Sequence, residues 1–315
     1  MAARNFDCQV ATCNGLAGIT DRTLNYFNDQ EMTKIRLAAG EEMEMCSRTR
    51  SILVATAVAA AVLSLAGANV LDDFAVDWAP QNVRFAEDGR GVSLQLDRSA
   101  GCRIRTKTSF LYGTVSALIQ LVPGDSAGVI STFYTSSEGR QHDEIDFEFL
   151  GNAAGQPYTI HTNMFVATMG NREVQFKPWF DPTTGFHNYT ISWSPCMIVW
   201  FVDGVPIRLY KNSQGVAFPS SQQMSGFMSI WASTDAWATQ GGRVRTDWSK
   251  APFVSNYRDI RLPVNDDFPA HSGPCELNKD QMGHMQEIQG KYMLYNYCHD
   301  SERFNGQMPR ECKQH

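Results

Sequence analysis

The chain contains no long run of lysine or arginine, and its formal net charge is −6. Without a basic stripe it offers phosphate backbones no electrostatic footprint, so a nucleic-acid partner is not expected. It also has no glycine-rich phosphate loop, no internal repeat and no low-complexity tract, which removes nucleotide chemistry and solenoid architecture from consideration. No group of His, Cys, Asp and Glu has the spacing of a metal site, so neither a metal nor a cofactor is expected. Long apolar runs are almost as scarce. One stands out, SILVATAVAAAVLSLAG, the 17 residues from Ser51 to Gly67, and it is short of the roughly 20 residues that span a bilayer.

That run follows Arg48 and Arg50, ends in the small-x-small pattern Ala66-Gly67-Ala68, and is followed by Asp72 and Asp73. Its parts are those of a secretory signal peptide, yet residues 1–42 precede it. Either translation starts at Met43 or Met45, or the segment is an uncleaved membrane anchor. The signal peptide is the preferred reading, and both place the remainder outside the cytosol. Residues 1–42 carry no readable motif.

What is abundant is apolar and aromatic. With 43% hydrophobic and 11% aromatic residues in 315, the chain can bury a large core in one sizeable domain. The segments GTVSALIQLVPGDSAG, TISWSPCMIVWFVDGVPIRLY and GFMSIWA read as short strands, broken at Pro123-Gly124, Ser194-Pro195 and Asp203-Gly204. Such spacing predicts an all-β antiparallel sandwich. Near the end the character changes, with a helix expected over Met282–Tyr292 and Cys275, Cys298 and Cys312 gathered around it.

One stretch, HDEIDFEFLG from His142 to Gly151, holds four carboxylates. Side chains alternate faces along a strand, so Glu144, Asp146 and Glu148 share one face while Ile145, Phe147 and Phe149 share the other. The second face is built for burial. The first gathers like charges, which costs stability and raises at least one pKa. A charged edge strand would explain acidity but not the central Asp, which adds repulsion without a partner. Two carboxylates flanking a sugar bond are the machinery of glycoside hydrolysis. Four strand residues span about 13 Å, and inward-leaning side chains can close the carboxyls to the roughly 5 to 5.5 Å of a retaining enzyme.

HDEIDFEFLG, then HTNMF at 161–165, GNRE at 170–173, WFDPT at 179–183, FVDGVPIR at 201–208, WATQGGRVRTDWSKAPF at 237–253 and YNYCHDSERF at 295–304 together resemble the xyloglucan endotransglucosylase/hydrolase family of plant cell walls, within glycoside hydrolase family 16. The resemblance runs from about Asp72 to Cys312. It implies a β-jelly-roll sandwich with a concave glucan-binding face over 69–265, preceded by a signal peptide or anchor at 43–68 and followed by a C-terminal extension at 266–315. Glu144 matches the family nucleophile, Glu148 the acid/base and Asp146 the helper between them. By the same matching, His161, Thr162, Asn163, Asn171, Arg172 and Glu173 line sugar subsites, with Trp237, Gly241 and Arg303 on the acceptor side.

The implied activity is cleavage of xyloglucan with retention and transfer to a second xyloglucan chain, by a secreted monomer of the cell wall and apoplast. Transfer is favoured over hydrolysis because NMFVATMGNREVQF is compact where the specialised hydrolases of the family carry a longer loop. An endo-hydrolase of xyloglucan or a related β-glucan, and a non-catalytic glucan-binding protein, are the alternatives. Trp231–Thr239 is one residue longer than the family pattern and has Ala236 where an Asp would precede Trp237. Asn188-Tyr189-Thr190 is a candidate glycosylation sequon. Five cysteines follow Ala68, so at least one thiol is unpaired within the chain. The resemblance pairs Cys298 with Cys312 and leaves Cys102, Cys196 and Cys275 unassigned.

Overall fold

A computed structural model describes residues 70–263 and 275–313. The extension, the Ser51–Gly67 run and its cleavage pattern therefore lie outside the described residues. After a short helix α1 (Val70–Asp73), the chain builds β1 (Phe74–Trp78), β2 (Val83–Phe85), β3 (Gly91–Leu96), β4 (Cys102–Thr106) and β5 (Gly113–Gln120). Next come β6 (Val129–Ser136), β7 (Glu144–Leu150), β8 (Thr159–Phe165), β9 (Val174–Phe176) and β10 (His187–Trp193). Then follow β11 (Met197–Val202), β12 (Val205–Lys211), β13 (Ser225–Ala232), β14 (Phe253–Arg261), helix α2 (Lys279–Tyr292) and β15 (Met293–Asn296).

One sheet has the spatial order β1-β4-β13-β6-β7-β8-β9-β15, and the other β12-β11-β10-β5-β14-β3-β2. All pairings among them are antiparallel. From β3 to β6 each successive strand crosses to the opposite sheet, whereas β6 to β9 and β10 to β12 stay in one. This is the expected jelly-roll sandwich.

The inner faces explain why the apolar half of HDEIDFEFLG is so uniform. Ile145, Phe147 and Phe149 are fully buried, and the two Phe rings meet the edge of Tyr189 from β10 at 5.6 and 4.6 Å between centroids. Burying each such side chain is worth about 1.5–3 kcal/mol. Trp200 of β11 adds a polar tie between sheets, its indole Nε1 donating to the Asp146 carbonyl at 3.0 Å. The core thus grips β7 from below and leaves its acidic face to the outside.

Helix α2 begins three residues before the expected Met282, for a local reason. Asn278 Oδ1 accepts from the Gln281 amide at 2.9 Å, and Gln281 Oε1 accepts from the Asn278 amide at 3.1 Å, a reciprocal capping box that satisfies both donors. The helix lies along β12, where Gln289 Nε2 donates to the Ile207 carbonyl at 3.0 Å. β15 then pairs with β9, so the C-terminal segment covers an edge of each sheet, positions otherwise open to strand addition. Cys298 and Cys312 form the expected disulfide. Cys275, left without a partner by the motif comparison, is bonded to Cys196 in the β10–β11 turn, a partner 79 residues away that no local pattern announces. Among the described residues Cys102 is the free thiol, buried in the core and pushed up to about 11 by that burial.

Candidate active site

β7 lies inside its sheet, so the partners of its acids are set by register on both sides. Glu144, Asp146 and Glu148 stand opposite Ser136, Tyr134 and Thr132 of β6 and opposite Phe165, Asn163 and His161 of β8. The three acids form the floor of a cleft of about 500 Å³. His161, Asn163, Phe165, Glu173, Gln175, Trp237, Tyr295 and Arg303 line the rest of it. The fourth acid of the motif does something else. Asp143 is buried and accepts from the Ala167 amide at 2.9 Å, while the His142 carbonyl accepts from Thr168 at 2.8 Å. Together they pin the 166–173 loop to the start of β7.

Electrostatics separates the three acids. Burial pushes the Glu148 carboxyl up to about 8, helped by the negative charges of Glu144 and Glu173. Burial also raises Glu144, opposed by hydrogen bonding from Ser136 and by His142, whose Nε2 lies 3.8 Å from Glu144 Oε2. Asp146 is driven well above the usual carboxylate range, first by burial and then by Glu144 and Glu148 on either side. Its Oδ1 is buried and accepts no hydrogen bond from a donor, yet its side chain is within hydrogen-bonding reach of Glu144. Two acceptors that close require a proton between them.

His161 is 3% exposed, and burial lowers it to about 4, so it is neutral near pH 7. Gln175 Nε2 donates to its Nδ1 at 3.1 Å, which leaves the ring proton on Nε2, 3.7 Å from Glu148 Oε2. The Trp237 ring, 40% exposed, meets the His161 ring edge-to-face at 5.6 Å. Arg303 closes the far wall. Its Nη1 and Nη2 donate to Glu173 Oε2 and Oε1 at 2.6 and 3.0 Å, and further to Tyr295 Oη at 3.1 Å and Asn171 Oδ1 at 2.8 Å. For Glu173 burial acts upward, but this bidentate pairing outweighs it and lowers the carboxyl overall.

Most of the anticipated residues therefore converge, and four do not line the cleft. Thr162 falls between His161 and Asn163 on β8 and so points to the interior, fully buried, where its hydroxyl donates to the Val174 carbonyl at 3.0 Å. Arg172 turns away to Glu311, 2.9 Å from its Nε. Gly241 occupies a turn at φ 76°, its amide donating to the Ala236 carbonyl at 2.7 Å. Asn171, at φ 64°, supports Arg303 rather than lining the cleft. Asn163 does line it, and its Oδ1 also accepts from the Met164 and Arg172 amides. Asn188 is half-buried on the outer side of β10 and accepts from Thr190 Oγ1 at 2.7 Å.

Phe165, Gln175 and Tyr295 are cleft residues that motif reading passed over. Gln175 carried a usable signal, since it lies two residues beyond Glu173. For Tyr295 the signal was its place in YNYCHDSERF, although only the β9–β15 pairing brings that segment to the site.

The chain matches the model described as Glycosyl hydrolases family 16 over residues 70–250, and that of the Xyloglucan endo-transglycosylase (XET) C-terminus over residues 266–312. It is 44% identical over 262 residues to xyloglucan endotransglucosylase protein 7 of Diospyros kaki, spanning 78% of this chain and 97% of that one. With xyloglucan endotransglucosylase/hydrolase protein 24 of Arabidopsis thaliana the identity is 43% over 259 residues, spanning 82% and 95%. A solved structure, Crh5 transglycosylase in complex with NAG, superposes with a TM-score of 0.52 at 25% identity, covering 63% of this chain and 81% of that chain.

Proposed function

Because the chain belongs to glycosyl hydrolases family 16 and carries the xyloglucan endo-transglycosylase C-terminus, we propose that it cleaves xyloglucan with retention and transfers the released end to a second xyloglucan chain. The observation that carries the reading is that Glu144 and Glu148, four residues apart on β7, face the same cleft, with Glu148 pushed up to about 8. A retaining reaction needs one ionised and one protonated carboxyl beside the same sugar bond.

Glu144 attacks the anomeric carbon while Glu148 gives its proton to the departing glycosidic oxygen. The resulting ester removes the Glu144 charge, which is one of the forces holding the proton on Glu148. Glu148 therefore acidifies and, as base, takes the proton of the incoming hydroxyl. Asp146 holds Glu144 through the proton between them. The Nε2–H of neutral His161 faces Glu148 and cannot compete for its proton, because an imidazole lowered to about 4 is a poor base at neutral pH. Trp237 offers a flat apolar ring for the acceptor, and Arg303 with Tyr295 offers donors beside it. An acceptor sugar must outcompete water, which calls for such a binding surface held in line.

Secretion to the cell wall, cleavage of the leader within 43–68, activity as a monomer and glycosylation at Asn188 belong to the same reading. The two disulfides suit an oxidising compartment. The test is incubation with xyloglucan and labelled xyloglucan oligosaccharides, following label in polymer and new reducing ends together. Label entering polymer without new reducing ends, lost in Glu144→Ala, is the expected result. New reducing ends without incorporation would make the protein a hydrolase, and neither signal would make it a binding protein.

A further inference from the structure

Beneath the acids lies a cation that the chemistry above does not use. Arg208, on β12, is 4% exposed and among the described residues forms no ion pair with a carboxylate. Burial lowers it to about 10, so it is charged at neutral pH. Burying a lone charge is costly and is tolerated only where dense polar contacts replace water. Here Nη1 donates to the Thr162 carbonyl and to Thr162 Oγ1, each at 2.9 Å, and Nη2 donates to the Arg172 carbonyl at 2.6 Å. The guanidinium lies over the Trp200 ring, 4.5 Å from its centroid.

Each of those contacts leads to the cleft in one step. Thr162 stands between His161 and Asn163, both cleft residues. Arg172 precedes Glu173, the carboxylate that binds Arg303. Trp200 donates to the Asp146 carbonyl. We propose that Arg208 is a positioning residue for the acidic face: gripping Thr162, Arg172 and Trp200, it fixes β7, β8 and the Glu173 turn relative to one another from the core side. The inference rests on the retaining mechanism proposed above.

The charge acts as well as the fork. Around Arg208 stand Glu173, Arg172, Tyr210 and Tyr297. Facing the acids from their own surface are His142, His161, Tyr134, Arg103 and Glu173. Of the three acids, Asp146 is the one held down by Arg208. Removing the cation makes the Glu144–Asp146 pair hold its protons more tightly, so nucleophile ionisation requires a higher pH. Glu148 is governed instead by burial, Glu144 and Glu173.

The test is the pH profile of kcat/KM for label transfer in Arg208→Met and Arg208→Lys. The methionine variant should lose about ten- to a hundredfold in kcat, as expected for slight misplacement of reacting groups, and its acidic limb should move to higher pH with the alkaline limb in place. The lysine variant should keep the acidic limb where it is in the unmodified protein while still losing kcat. Folded variants with unchanged kcat and unchanged limbs would overturn the proposal, as would a uniform loss without movement of the acidic limb. If Arg208→Met does not fold, Thr162→Val, which removes the Arg208–Thr162 Oγ1 bond along with the Thr162–Val174 bond, and Trp200→Phe, which removes the bond to the Asp146 carbonyl, take its place, and unchanged kcat in both overturns it. Transfer by the unmodified protein separates the two ideas: if present, a null result in the variants counts against Arg208 alone, and if absent, the mechanism fails and takes this inference with it.

Discussion

Replacing Glu148 with Gln should make the protein more stable at alkaline pH while destroying its chemistry. In the fold Glu148 is raised from 4.5 to about 8, so it binds its proton more tightly there than in the unfolded chain. Its contribution to stability is fully present below pH about 4.5 and is lost as pH rises through about 8. At about 1.4 kcal/mol per unit the whole shift corresponds to roughly 5 kcal/mol. The side chain retains 21% exposure to an open cleft, and water there screens the charge, so roughly half of that, about 2–3 kcal/mol, is the expected penalty. Glutamine has the same shape and no charge to desolvate. Thermal unfolding of Glu148→Gln and of the unmodified protein should therefore nearly coincide at pH 4 and separate at pH 8.5. For a folded unit of this size the variant should melt roughly 5–10 °C higher. Glu144 and Asp146 titrate in both proteins, and because the Glu148 charge also raises Asp146, the difference between the curves reports Glu148 together with its coupling to Asp146. Transfer should fall by about 10²–10⁴ through loss of the acid. A gap that does not grow with pH, or a variant less stable at pH 8.5, would refute the burial argument.

Two further outcomes follow from the walls of the cleft. Trp237→Ala should raise KM for the oligosaccharide acceptor about five- to tenfold, the loss of about 1 kcal/mol or more of ring contact, with kcat for donor cleavage little changed; an unaltered acceptor KM would remove Trp237 from that side. Cys298→Ser with Cys312→Ser should cost about 2–3 kcal/mol, seen as a lower melting temperature. Because that disulfide closes the loop bearing Arg303, the ratio of transfer to hydrolysis should fall as well, and a double variant with unchanged stability and ratio would show the clamp to be idle.

The strict alternation of HDEIDFEFLG was enough to place Glu144, Asp146 and Glu148 together on one face, because strand geometry leaves a side chain no other choice. The short β-segments between proline and glycine breaks likewise announced a sandwich, and the odd cysteine count announced a free thiol. What alternation predicts, though, extends no further than the strand that carries it. Thr162 belongs to HTNMF and still faces the core, because its neighbours His161 and Asn163 take the outer side. The Cys196–Cys275 bridge, the arrival of Tyr295 and Arg303 beside Glu173, and the choice of Cys102 as the free thiol among the described residues all depend on β15 and α2 folding back over the edges of both sheets. The raised proton affinity of Glu148 is a tertiary property too: the sequence supplied the neighbouring charges, but only packing supplied the burial that is its largest cause, since desolvation depends on which surfaces the finished fold removes from water.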